Sequence, residues 1–221
     1  MMRPMTPITG MDLTGFTERE PGVWTDEQGL VLSVHFFDIA PDLPAPFEQL
    51  DRLRYGLARF AVQVGGGLIE AVLGEVDTLP AVRQFIKIPP AGGHGLVFLG
   101  AWTVPRAGCS TVVKVQAAEG GITGVREAVT FSRTEPEQCS GPHPYGPDIT
   151  GGLPYHVGDH EQWDAHFPDH PLTRVRTTLE RITPTLTLHE EFKALPPFVS
   201  ASDLDAGPSG SGVRRWFRRR G

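Results

Sequence analysis

The residues best suited to chemistry are concentrated between positions 134 and 173. This stretch has no lysine or arginine, yet it contains five of the chain's eight histidines and seven carboxylates. Imidazoles surrounded by carboxylates can titrate near neutral pH or bind a metal ion. The same stretch contains seven prolines and five glycines, which are typical of a surface loop. The composition therefore fits a reaction centre, and it also fits a long connection between structural elements.

Four of these histidines form two pairs with metal-ligand spacing. The candidate ligands are His156, His160, His166 and His170. On a helix, residues four apart place both imidazoles on one face, as a zinc site requires. Pro168 lies inside the second pair and disfavours a helix there, so the pairs could meet only through a folded loop. Neither Cys-x-x-Cys nor His-Glu-x-x-His accompanies them, and polar loop histidines are the alternative interpretation.

The same region offers an enzymatic interpretation, a metal-assisted or histidine-based hydrolase that uses residues 139–170. Asp164 or Asp169 could fix the tautomer of His166 and raise its basicity. Asp159 could do the same for His160. However, the sequence has no Gly-x-Ser-x-Gly nucleophile motif, and its glycine clusters match no phosphate-binding pattern. Asp169 is also suited to cap a helix. The sequence therefore favours a non-catalytic protein and predicts no cofactor.

Length and composition predict one globular domain. The chain has 221 residues, of which 39% are hydrophobic, enough for a single sizeable core. We expect one domain over residues 1–198, including a His-, Pro- and Gly-rich excursion at 134–170. Residues 199–221 have the composition of a disordered linker and an arginine-rich tail. We recognise no signal peptide and no run of roughly 18 apolar residues that would span a bilayer, so a cytoplasmic location is expected.

Charge is distributed unevenly along the chain. The net charge is −6, but the last nine residues carry five arginines and no acid, which leaves −11 for the rest. So acidic a body would repel the phosphate backbone, which argues against a nucleic-acid-binding domain of the basic kind. The tail combines cations with aromatic rings and could attach weakly to an anionic membrane or a nucleic acid. Its candidate contact residues are Arg214, Arg215, Trp216, Arg218, Arg219 and Arg220.

Hydrophobic periodicity predicts the elements that would position these residues. The predicted strands cover residues 22–25, 30–38, 68–76, 81–88, 96–104 and 110–117. Helices are predicted at 47–64 and, capped by Thr123, at 124–131. A third begins after Asp169 and ends before Pro184, and its apolar residues repeat at a spacing of three, four and three positions: Leu172, Val175, Leu179 and Ile182. The short connections favour antiparallel neighbours. This order predicts an α+β domain with a mainly antiparallel sheet of about six strands and helices packed on its faces, in an α/β/α sandwich-like arrangement.

Two finer expectations concern individual side chains. The short second helix would place Val125, Ala128 and Val129 on one face. In the fourth predicted strand, Arg83 and Lys87 lie on the same side, where we expect them to be solvated charges that alternate with core residues.

The layout resembles a known superfamily. The segments that carry the resemblance are Leu-Val-Leu-Ser-Val-His-Phe-Phe at 30–37, before the long helix, and Leu-Pro-Ala-Val-Arg at 79–83, which enters the later strands. Over residues 12–192 the chain is similar to the PsbP-like α/β/α sandwich superfamily. The resemblance implies a non-enzymatic accessory or partner-binding protein, and it carries over no functional residues.

The leading hypothesis is a cytoplasmic, non-catalytic accessory or partner-binding protein with an unknown protein partner. It rests on the missing catalytic motifs and on the resemblance. One alternative is the metal-assisted or histidine-based hydrolase. The other is a peripheral membrane protein that is attached through the arginine-rich tail.

Overall fold

The computed structural model of the protein describes residues 6–92, 94–135, 139 and 141–199. The strands are β1 (Ile8–Gly10), β2 (Thr17–Glu20), β3 (Val23–Thr25), β4 (Val31–Phe37), β5 (Gly67–Val76), β6 (Leu79–Ile88), β7 (Val97–Pro105), β8 (Ser110–Ala118) and β9 (Thr187–Leu188). The described α-helices include α1 (Leu50–Gln63), α2 (Val125–Ser132), α3 (Pro171–Ile182) and α4 (Glu190–Lys193). Short 3-10 turns lie at Val157–Asp159, Glu161–His166 and Thr183–Thr185. None of the described helices has the length and apolar character that a bilayer span requires.

Seven strands form one antiparallel sheet in the order β2-β3-β4-β8-β7-β6-β5, and β1 pairs with β9 in a second, small sheet. The predicted α+β class and antiparallel sheet are therefore confirmed. The six predicted strands correspond to β3 through β8. Sequence reasoning missed β2, because all four of its residues are polar and exposed and so give no apolar alternation.

A two-residue turn sets the register of β5 against β6. Asp77 and Thr78 both have positive φ, at 46° and 70°, which matches the twist of a tight hairpin. The sequence predicted a turn that extended to Pro80, because proline cannot donate to a strand ladder. Pro80 nevertheless lies within β6, since the pairing of β6 with β7 begins only at Val82.

Two helices cover opposite faces of the large sheet. On one face, α1 packs its buried Leu53 and Leu57 against Leu68 and Val82. On the other face, α3 packs over β7 and β8. The fully buried side chains of α3 are Leu172, Val175, Leu179 and Ile182, as their predicted spacing indicates. Burying each of them contributes roughly 1.5–3 kcal/mol as an upper estimate, so α3 is held firmly on the sheet.

The short helix α2 differs from its prediction in both cap and packing. Its N-cap is Gly124 in the left-handed conformation, with φ 72°, and not Thr123. Glycine adopts this φ without steric strain. The buried residues of α2 are Arg126 and Thr130, whereas Val125 is 45% exposed. The helix therefore packs against the domain through its polar side.

Candidate functional site

The acidic histidine segment, which we define as residues 134–173, covers the edge of the sheet at β5. The His143 ring nitrogen Nε2 lies 3.1 Å from the carbonyl oxygen of Leu68. The backbone N–H of Ala71 donates to the Tyr145 hydroxyl at 3.1 Å. An uncovered edge strand presents free N–H and C=O groups to other chains, and covering it with a loop removes that hazard. The segment therefore has a structural role along β5.

A buried ion pair joins the segment to the face of the sheet. Lys87 is 3% exposed, and its Nζ donates to Asp159 Oδ2 at 2.6 Å. The same carboxylate oxygen accepts the backbone N–H of His156 at 2.9 Å. The prediction that Lys87 is solvated is therefore wrong, because the segment folds over this side of the sheet and supplies the counter-charge. Arg83 is partly buried and pairs with Glu70 at 3.0 Å.

A second buried cation, Arg126 of α2, holds the middle of the segment. Its guanidinium donates from Nε to the Gly158 carbonyl at 2.6 Å and from Nη1 to the Thr173 hydroxyl at 2.8 Å. From Nη2 it donates to the His160 carbonyl at 3.0 Å and to Asp164 Oδ1 at 2.7 Å. Burial lowers the pKa of this guanidinium, and the bond to Asp164 opposes the shift. An arginine stays charged in either case, so α2 is anchored through a cation.

The third cation comes from α3. Arg176 is 3% exposed and donates to both oxygens of Asp164, at 3.1 and 3.2 Å, and to the carbonyl of Asp159 at 2.6 Å. Asp164 is therefore shared between two arginines. We call the five residues of this arrangement the buried ionic cluster: Lys87, Arg126, Asp159, Asp164 and Arg176. Removing one member of such a cluster leaves an uncompensated buried charge, which is strongly destabilising. The buried ionic cluster therefore determines how the segment packs.

Several histidines act as local caps. In each case Nδ1 accepts the backbone N–H of the residue two positions further along, at 2.8–3.3 Å. The four residues are His143, His156, His170 and His189. His170 is the N-cap of α3, so the prediction that Asp169 caps this helix is wrong. An accepting Nδ1 carries no proton, so the tautomer that fits these bonds has its hydrogen on Nε2.

Burial keeps two of these rings neutral. It lowers the pKa of His156, although the nearby Asp159 carboxylate acts in the opposite direction. It also lowers the pKa of His143, against a raising effect from the bond with Leu68. Burial and the charge of Asp159 raise the pKa of Tyr155 to about 12. These groups are therefore uncharged near neutral pH, and their environment disfavours proton uptake.

The structure brings together only one of the four predicted metal ligands with other ligating groups. Among the described residues, one group of three His, Cys, Asp or Glu side chains has ligand atoms within 4.8 Å of one another, and it consists of Glu119, Glu127 and His170. His160 and His166 are exposed, and their rings lie beside aromatic neighbours. The predicted tail contacts, from Arg214 to Arg220, lie outside the described residues.

Sequence reasoning missed Glu119 and Glu127 because they belong to separate elements. Glu119 follows β8, Glu127 is in the first turn of α2, and His170 caps α3. Glu119 accepts the backbone N–H groups of Leu96 at 2.8 Å and Gly124 at 3.0 Å. Burial raises the pKa of Glu119, but these bonds and the nearby His170 outweigh it, so the pKa is lowered. No local motif signals such a group, since only the fold joins its members.

The exposed side of α2 is apolar. Ile122, in the loop before the helix, is 85% exposed, and Val125 and Phe131 are 45% and 48% exposed. We call these three residues the α2 surface. It adjoins a cleft of about 340 Å³ whose lining includes Glu119 and Asp169. Exposed apolar side chains grouped beside polar ones are typical of contact surfaces.

The chain has no match among protein-family models and none among curated proteins. The resemblance to the PsbP-like superfamily therefore stays a prediction. The functional argument rests on the residues themselves.

Proposed function

We propose that this protein is a non-catalytic accessory protein that binds a partner through the α2 surface. The observation that carries the proposal is the inverted packing of α2, which buries Arg126 and exposes Val125 and Phe131. A surface helix of a globular protein normally turns its apolar side to the core. A helix that does the reverse leaves apolar area in water unless another molecule covers it.

Buried contacts fix this orientation of α2. The Arg126 side chain makes hydrogen bonds to Gly158, His160, Asp164 and Thr173. A rotation that buried the apolar side would break all of these bonds and bring a cation into water. The exposure of the α2 surface is therefore a stable property of the fold, as a binding surface requires.

The surroundings favour a partner segment that has both cationic and apolar side chains. Glu119 and Asp169 line the cleft beside Ile122 and Val125. Without the five arginines of the tail, the chain has a charge of −11. Complementary charge speeds association and excludes wrong partners, while apolar side chains supply most of the affinity. We therefore propose a protein segment in which lysine or arginine stands next to an aromatic or aliphatic residue.

The non-catalytic part of the proposal rests on how the candidate catalytic groups are engaged. Asp159, the carboxylate that could orient His160, accepts a hydrogen bond from the buried Lys87. Asp164, the carboxylate that could orient His166, is bonded to two buried arginines. A general base needs a free lone pair that faces a reacting proton. These side chains are instead committed to holding the segment.

The experiment compares two exposed apolar positions at opposite ends of the sheet. A photoreactive amino acid replaces Val125 in the full chain, and the control replaces Ile39, which is 60% exposed. Ile39 follows β4 near Ser110, whereas α2 follows the other end of β8. A protein captured only at Val125 is identified, purified and titrated against the Val125→Asp and Ile39→Asp variants.

We expect Val125→Asp to weaken the purified complex about tenfold or more, since a charge would replace a buried apolar contact. Ile39→Asp should leave the affinity unchanged. Equal effects of both variants, or a captured segment that is acidic, would refute the proposal. A crosslink that forms only between copies of this chain would refute a separate partner and would show that the α2 surface mediates self-association.

A further inference from the structure

We propose that Glu119, Glu127 and His170 form a binding site for a divalent transition-metal ion such as Zn²⁺. The site differs from the four-histidine set suggested by sequence spacing, because it takes a single histidine and two carboxylates from three elements. The proposal does not rest on a partner, although Glu119 and His170 also line the cleft beside the α2 surface.

The spacing of the three side chains suits one ion. Their ligand atoms all lie within 4.8 Å of one another. His170 Nε2 lies 3.7 Å from Glu119 Oε1. Two ligand atoms that are each bound about 2.1 Å from one ion lie at most about 4.2 Å apart. This pair is therefore already at ligand spacing, and a small adjustment of Glu127 completes the set.

Two of the ligand atoms are buried without a hydrogen-bond partner. These are Oε2 of Glu127 and Nε2 of His170. The side chain of His170 is only 9% exposed, and that of Glu119 is 6% exposed. Buried polar atoms are nearly always satisfied in folded proteins, so two unpartnered atoms within one group of ligating side chains indicate a missing ligand. A metal ion would satisfy both of them together.

The local charge balance also favours a cation. Among the described residues, no lysine or arginine forms an ion pair with Glu119 or Glu127. Arg126 is next to Glu127 in sequence, but its guanidinium donates to Gly158, His160, Thr173 and Asp164. Two carboxylates therefore meet beside the imidazole of His170. A divalent ion would remove their mutual repulsion.

The backbone supports Glu119 as a ligand. The N–H groups of Leu96 and Gly124 donate to its two oxygens, at 2.8 and 3.0 Å. Such hydrogen bonds orient a ligating carboxylate and are a regular part of metal sites. Glu119 is therefore held in place before an ion arrives.

Binding through His170 Nε2 requires a change of tautomer. The ring now accepts the Leu172 N–H at Nδ1, at the long distance of 3.2 Å, so its hydrogen is on Nε2. Coordination moves that hydrogen to Nδ1 and gives up the capping bond. Losing one helix cap reduces the affinity by roughly fivefold, which a metal site of three ligands tolerates.

The ligand types select the class of ion. An imidazole nitrogen favours zinc, copper, iron or nickel, whereas sites made only of oxygen favour magnesium or calcium. A carboxylate can bind through both oxygens, so Glu127 can supply a further donor atom. We therefore expect Zn²⁺ to bind more tightly than Mg²⁺ or Ca²⁺.

The test is calorimetric titration of metal-free, untagged full-length protein with Zn²⁺, and with Co²⁺ as a spectroscopic probe of coordination. The test variants are Glu127→Gln, which keeps the size of the side chain, and His170→Asn, which keeps a capping acceptor for α3. The control is His189→Asn. His189 also caps a backbone N–H through Nδ1, at 3.3 Å, but lies outside the group.

We expect one Zn²⁺ per wild-type chain. Glu127→Gln and His170→Asn should each weaken binding by about tenfold or more, and His189→Asn should not change it. Phe131→Asp changes the α2 surface outside the cleft that Glu119 and His170 line, so it should leave Zn²⁺ binding unchanged, which separates this test from that of partner binding. Wild-type protein that binds Zn²⁺ no more tightly than His170→Asn would overturn the proposal. So would binding that persists in both test variants.

Discussion

Replacing Arg126 with methionine should destabilise the protein by about 3–5 kcal/mol, the loss that follows when one partner is removed from a buried charge cluster. Arg126 is 1% exposed and makes hydrogen bonds to Gly158, His160, Asp164 and Thr173. Methionine fills much of the same volume but removes the donor to the carbonyl of the buried Gly158 and one of the cations that face Asp164. Asp164 keeps its bonds to Arg176, which places the expected loss toward the lower end of the range.

The loss is large on the scale of the whole domain. Domains are stable by roughly 5–15 kcal/mol, so 3 kcal/mol is a substantial fraction of the total. For a chain of this size, that loss corresponds to a fall in Tm of roughly 6–12 °C. An Arg126→Lys variant keeps the charge but not the forked set of donors, and its loss should lie between wild type and Arg126→Met.

The assay is urea unfolding, followed by circular dichroism and tryptophan fluorescence. The control is Arg133→Met, since Arg133 is exposed at the C-cap of the same helix and should tolerate the change within about 0.5 kcal/mol. A loss below about 1 kcal/mol for Arg126→Met would show that the buried ionic cluster does not hold the segment. A loss no greater than that of Arg133→Met would show the same.

Three further outcomes are expected in urea titrations. Burial lowers the pKa of His143 and His156 below the ordinary 6.5, so the unfolded chain takes up protons first on acidification. The free energy of unfolding should therefore fall as the pH drops below about 6.5. The fall should be smaller in a variant with asparagine in place of both histidines. A rise in stability on acidification would contradict this prediction. Thr78→Gly should stabilise by about 1 kcal/mol, because Thr78 has φ 70°, and an unchanged midpoint would count against strain there. Tyr145→Phe should cost roughly 1–2 kcal/mol, because the Ala71 N–H loses its acceptor; wild-type stability would mean that this bond is dispensable.

The central strands and the two main helices could be predicted because burial imposes a regular spacing on them. In α3, apolar residues repeat at three and four positions, and all four of the predicted ones are fully buried. Around β4, Leu30, Leu32 and Val34 are buried, as one packed face requires. On the other face Val31 and His35 are only partly buried. A local pattern suffices where a whole element turns one side to the core.

The packing of α2 could not be predicted in this way, because its determinants are remote in sequence. The partners of Arg126 are 32, 34, 38 and 47 residues away. Lys87 is 72 residues from Asp159. From sequence alone, a charged residue within a strand or helix is predicted to be solvated. The prediction changes only when a distant segment is known to bring a counter-ion over it. The sequence contains the counter-ions but not the information that they return to these positions.

The histidine caps were not predicted, and the reason is different. Aspartate, asparagine, serine and threonine are the usual N-cap residues, so Asp169 was favoured over His170. A neutral imidazole offers Nδ1 as an equivalent acceptor when its ring turns back toward the backbone. His143, His156 and His170 all do so, at 2.8–3.2 Å. Much of the histidine content of the segment therefore serves turn and helix geometry.

The cation-free composition of residues 134–173 follows from the charges that the segment packs against. Lys87 approaches from the sheet, while Arg126 and Arg176 stand just outside the two ends of the segment. Among the described residues, these three cations form ion pairs with Asp159 and Asp164 alone, so a further cation beside them would add repulsion where positive charge is already in excess. Carboxylates and neutral rings are the residues that such surroundings accept. The segment folds over buried cations, so charge complementarity favours carboxylates and disfavours lysine and arginine within it. The same composition suggested a reaction centre when only the sequence was considered.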